Sequence, residues 1–119
     1  MKLESFAINL TSEHPDRLLA FYRDTVGLAS RKEMGDGALA LGDATLFIDG
    51  HSEVHGASKE PQRVLVNFFV PDLQAEQSRL DAAGVEFVRR EGKEYWGGVI
   101  STFLDPDGNY CQLIEFKPS

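Results

Sequence analysis

The sequence predicts an α+β protein made of two β-α-β-β-β modules in one chain. Three observations carry this expectation. Residues 5–49 and 65–116 each run a strand, then a helix closed by glycine, then a short antiparallel meander, with little identity between the halves. Within each half the apolar spacing switches from period two to helical spacing and back. At 119 residues and 42% hydrophobic side chains the chain has the size of one soluble domain with a real core. Residues 1–119 therefore read as a single domain, with module one at about 1–50, a connection at about 50–63 and module two at about 64–119.

Residues 5–10 alternate, with Phe6, Ile8 and Leu10 on one face and Ser5, Ala7 and Asn9 on the other, as in a half-buried strand. Pro15 and Asp16 then open a helix: proline suits the first helical position and an acidic side chain suits the positive end of the dipole. Leu18, Leu19, Tyr22 and Val26 give its apolar stripe, and Gly27 ends it. Strands at 38–41 and 44–49 flank Gly42-Asp43, a tight-turn pair. The run 64–70 is β-prone; Asp72 caps a helix over 73–83 whose stripe is Leu73, Leu80 and Ala83, and Gly84 terminates it. Strands at 85–89, 99–104 and 109–116 follow, the last two joined through Asp105-Pro106-Asp107-Gly108.

Composition narrows the function. Twelve Lys plus Arg against nineteen Asp plus Glu give a net charge of −7, the wrong sign for binding nucleic acid or an anionic membrane surface. The lone Cys111 allows no intramolecular disulfide and no cysteine-based zinc site, and it falls on the helix-facing side of its strand. Apolar runs are strand-length and Glu4 sits where a signal peptide needs an apolar run, so the expected location is the cytoplasm. No Gly-x-Ser-x-Gly elbow, phosphate loop or dinucleotide fingerprint is present.

Four segments carry a family resemblance that spans nearly the whole chain: Phe21-Tyr22-Arg23-Asp24-Thr25-Val26-Gly27-Leu28, Val70-Pro71-Asp72, Ala83-Gly84-Val85, and Phe103-Leu104-Asp105-Pro106-Asp107-Gly108-Asn109. In these the chain resembles the vicinal oxygen chelate proteins, which include glyoxalase I, bleomycin-resistance proteins and extradiol dioxygenases. The resemblance implies two βαβββ modules whose mixed sheets curl into a cup with helices outside, completed by module pairing in a homodimer. It also implies metal-ligand positions at about Ser5, Phe47, Leu65 and Gln112, of which only Gln112 is a credible ligand. A divalent ion needs three or four nitrogen or oxygen donors, so no cofactor is expected.

Alternation assigns Phe6, Ile8, Leu10, Leu46, Ile48, Val66, Phe68, Val70, Cys111 and Leu113 to the helices, and the opposite face to the cup. That face supplies the candidate ligand-binding residues Asn9, Phe47, Asn67, Phe69, Tyr110 and Gln112: aromatic area with a few orienting amides, as small-molecule pockets are built. The competing reading is that these side chains only fill a small barrel or a dimer seam. Trp96, in the glycine-bounded loop 92–98, is either an aromatic lid or an anchor for the loop on the core; Lys93 and Glu94 beside it are a base or anion partner, or simply solvated.

His51, Glu53 and His55 lie on one side of the chain if it is extended there, and with Gln112 form the alternative metal set for one divalent ion: nickel, zinc, iron or manganese. Pocket-rim or dimer-contact roles compete with it. The expectation is a cup that binds a small organic molecule without metal, as a sequestering protein or a metal-independent lyase or isomerase. The alternative is a metal-dependent lyase of the glyoxalase I type or an extradiol dioxygenase.

Overall fold

The computed structural model describes residues 1–94 and 96–116. The chain forms two compact units, Met1–Gly56 and Ala57–Ser119. Among the described residues no helix is long and apolar enough to cross a membrane.

In unit one, β1 (Ala7–Ser12) leads into α1 (Pro15–Ala20), which loosens into a π-helical turn over Phe21–Val26. It stops at Gly27, whose φ of 93° is a left-handed conformation that a side chain would strain. Strands β2 (Ala38–Leu41) and β3 (Ala44–Gly50) form the expected hairpin, and the sheet order is β1-β3-β2, with β1 parallel and β2 antiparallel to β3. The meander's remaining strand contracts to the single bridge Ser30↔Leu39. Leu18, Tyr22, Leu39, Leu46 and Ile48 are the buried core of this unit. Phe6, expected on the helix side, is 62% exposed because β1 begins one residue later.

In unit two, β4 (Leu65–Phe69), α2 (Leu73–Ala82), β5 (Phe87–Lys93), β6 (Gly98–Leu104) and β7 (Tyr110–Phe116) give a sheet of order β4-β7-β6-β5, again mixed, with β4 parallel to β7. Asp72 is the N-cap of α2, accepting from the Ala75 N–H at 3.1 Å. A second first-turn donor, the Leu73 N–H, is met by Glu115 Oε1 of β7 at 2.8 Å, which ties the helix end to the sheet. Val66, Leu73, Leu80, Phe103, Cys111 and Leu113 are buried between helix and sheet, with Cys111 on the side expected for it. Strand β5 runs four residues beyond its expected end, with register shifts between Phe87 and Gly92. The fold class is α+β with two mixed sheets, as the sequence predicts.

Candidate functional site

The face of the unit-two sheet turned away from α2 is laid out in rows, because side chains alternate along each strand and register fixes who stands beside whom. Leu65, Tyr110 and Leu104 make one row, Asn67, Gln112 and Thr102 the next, and Phe69, Ile114 and Ile100 the third; Phe116 and Gly98 make a fourth. Rows are about 7 Å apart, two residues along a strand. Four of the expected ligand residues, Asn67, Phe69, Tyr110 and Gln112, thus share one surface. Phe69 lies on the edge strand and is 71% exposed, a large apolar ring with no core to fill. Gln112 Nε2 donates to Thr102 Oγ1 at 3.1 Å, and Gln62 Nε2 donates to the Tyr110 hydroxyl at 3.4 Å.

Trp96 joins the same face through a glycine. A Cβ added at Gly98 would overlap the Trp96 indole, so the ring occupies the space that any larger residue at 98 would fill. From that seat it stacks on Phe116, with centroids 6.2 Å apart and planes 12° from parallel. The indole therefore lies against the sheet face turned away from α2 rather than in the hydrophobic core. A pocket of about 210 Å³ lies at the same hairpin, lined by Lys93, Glu94, Gly97, Gly98 and Val99, room for a small group rather than a whole drug-sized molecule. Glu94 is paired with Arg89 at 2.8 Å, which engages the carboxylate that sequence reasoning left open as a base.

In unit one, Asn9 and Phe47 stand opposite each other in register, and Asn9 Nδ2 donates to Asp49 Oδ2 at 2.9 Å. Phe47 is half-buried. Arg31 organises the neighbouring hairpin: its guanidinium donates to the carbonyls of Gly42, Asp43 and Ala44 and to Thr45 Oγ1. Sequence reasoning missed Arg31 and also Thr102 and Phe116; the last two continue the alternation that marks Gln112, and that signal was available.

His51, Glu53 and His55 do not converge. His51 Nδ1 accepts from the Glu53 backbone N–H at 3.0 Å, while His55 Nδ1 lies 3.7 Å from Glu13 Oε2. Gln112 belongs to the other unit. Among the described residues no three His, Cys, Asp or Glu side chains are placed to hold a metal ion. Glu13 instead tethers the segment, its Oε1 accepting from the Gly56 N–H at 3.0 Å. That hydrogen bond, and then the nearby His14 and His55, holds the carboxyl below its ordinary value of 4.5. The tether is complete above pH 4.5 and is lost as pH falls through the lowered value, since protonation removes the acceptor. An NMR titration of the Gly56 amide is expected to show a midpoint below 4.5; a midpoint at or above it would mean the tether does not form.

The model of the Glyoxalase/Bleomycin resistance protein/Dioxygenase superfamily matches residues 5–113, and the chain belongs to that superfamily. Its fold is shared by a family enzyme from Burkholderia phytofirmans PsJN (18% identity, TM-score 0.76, covering 93% of this chain and 97% of that one). It is shared too by TnmS3, an antibiotic binding protein from Streptomyces sp. CB03234 (21%, 0.73, 98% and 98%) and by TioX from Micromonospora sp. ML1 (18%, 0.72, 97% and 100%). A comparison with curated proteins finds no match. Of the metal-ligand positions that the resemblance implies, Phe47 and Leu65 offer no ligand atom and only Gln112 is a credible ligand, fewer than a divalent ion needs.

Proposed function

We propose that this protein binds a small, flat organic molecule without a metal and sequesters it, through Trp96, Phe69, Tyr110, Asn67 and Gln112 of unit two, with Asn9 and Phe47 as the corresponding ligand residues of unit one. One observation carries the reading: the Trp96–Phe116 stack seated on Gly98, on the same sheet face as the exposed Phe69 and the amide row. Such a face joins apolar area with a few fixed hydrogen-bonding groups, the combination that small-molecule sites use. Sequestration is favoured over a lyase or isomerase step because Asn67, Gln112 and Thr102 offer no group that exchanges a proton near neutral pH. The likeness to TnmS3, an antibiotic binding protein, supports the same reading. The proposal includes a homodimer, which sedimentation would show as twice 13.2 kDa, and a cytoplasmic setting.

Trp96 is the chain's only tryptophan and therefore a built-in reporter. Titration with small planar aromatic antibiotics is expected to give saturable quenching of its fluorescence. Gly98→Ala, which evicts the indole from its seat, is expected to weaken that binding about tenfold, the worth of one stacking ring and of the support it gives Phe116. No saturable signal in the parent protein across the panel, or equal affinity in Gly98→Ala, would overturn the assignment.

A further inference from the structure

The polar row in the middle of the ligand face has a direction. Gln112 Nε2 donates to Thr102 Oγ1 at 3.1 Å, and the Thr102 side chain is only 4% exposed, so little water competes for that bond. One amide hydrogen is thereby committed to the sheet. What Gln112 has left to offer is its Oε1, an acceptor, and its second Nε2 hydrogen, beside Asn67 on β4. The rows on either side present Leu65 with Tyr110, and the exposed Phe69, whose neighbour Ile114 is buried. A flat molecule lying over Gln112 therefore meets carbon at both edges and an acceptor between them. Covering that oxygen strips its water, which costs binding energy unless the molecule returns a hydrogen bond.

We propose that Gln112 Oε1 selects planar molecules carrying an N–H or O–H donor on the ring edge, and that Thr102 is the positioning residue holding the amide in this orientation. The inference rests on the ligand face proposed above. It is tested with indole and benzofuran, which share size and shape and differ in a ring N–H against a ring oxygen, titrated into the ¹⁵N-labelled full chain. Indole is expected to bind about five-fold more tightly, the value of one neutral hydrogen bond, and to move the Gln112 side-chain amide signal. Gln112→Leu and Thr102→Val are expected to bring the two affinities together, and Thr102→Ser, which keeps the hydroxyl, to restore the preference. If Thr102→Val does not fold, Thr102→Ala, which also removes the hydroxyl that Gln112 donates to, takes its place. Equal affinities in the parent protein, or a preference for benzofuran, would overturn the selection rule while leaving the ligand face standing. A preference that survives Thr102→Val would overturn the role of Thr102. If neither probe perturbs the amides of β4, β6 and β7, the ligand face itself fails and the inference goes with it.

Discussion

Replacing Phe103 by alanine is expected to destabilise the protein by about 3–5 kcal/mol, the range for emptying a fully buried aromatic site. Phe103 is 0% exposed. Its ring stacks on Phe68 at 6.3 Å and meets Phe87 at 5.7 Å, so the vacated volume is walled by rings from β4 and β5 that cannot close over it without moving their strands. The decisive control is Phe69→Ala on β4, one residue from Phe68. Phe69 points to the other face and is 71% exposed, so its truncation is expected to change stability by about 0.5 kcal/mol or less. Urea denaturation of both variants reads the difference. Equal losses would mean that Phe69 is part of a core, and an aromatic ring already used for packing is not free to receive a ligand.

The contrast between Phe68 and Phe69 was legible in the sequence, and it shows which parts of the site were. Alternation along a strand is local information: it separated Val66, Cys111 and Leu113 from Asn67, Phe69 and Gln112 correctly, because a strand's faces are set by its own geometry. Helix ends were legible for the same reason, Asp72 and Gly27 acting on their own turn of backbone. What could not be read depends on residues far apart in the chain. The seat of Trp96 needs Gly98 in register with Phe116, eighteen positions further on. Arg31 acts on carbonyls eleven to thirteen residues away, and neither period two nor helical spacing marks a side chain that serves another segment's turn. His51, Glu53 and His55 form a trio only if their segment is extended; instead the Val54 N–H bonds back to the His51 carbonyl, a turn that sends the side chains apart. Phe6 failed differently, since the alternating pattern continues past Ala7, where the pairing of β1 with β3 stops, and an unpaired strand end has no face to bury.

Asp105→Ala is expected to cost about 2–4 kcal/mol, because one carboxylate organises the whole turn between β6 and β7. Asp105 is 4% exposed, and its Oδ1 accepts from the backbone N–H groups of Asp107 and Asn109, each at 2.9 Å, while Oδ2 accepts from Asn109 Nδ2 at 2.8 Å. Hydrogen bonds to an ionised acceptor are stronger than neutral ones, and alanine leaves all three donors without this partner. Asp105→Asn keeps one oxygen for the two backbone donors but turns an amide toward Asn109 Nδ2, so it is expected to recover about half of the loss. Thermal unfolding of the two variants measures this order, and a neutral Asp105→Ala would show that the turn's backbone bonds, Gly108 N–H to the Asp105 carbonyl and Asp105 N–H to the Asn109 carbonyl, suffice to hold it. The consequence reaches the proposed ligand face. The turn sets the register that places Thr102 opposite Gln112 and Gly98 opposite Phe116. Loosening it is therefore expected to broaden the Gln112 side-chain amide signal and to weaken Trp96 quenching under conditions where the protein is still folded. The segment containing Asp105 helps to identify the superfamily for a physical reason: the motif is a clamp on strand register, and register decides which side chains share the face proposed to bind a ligand.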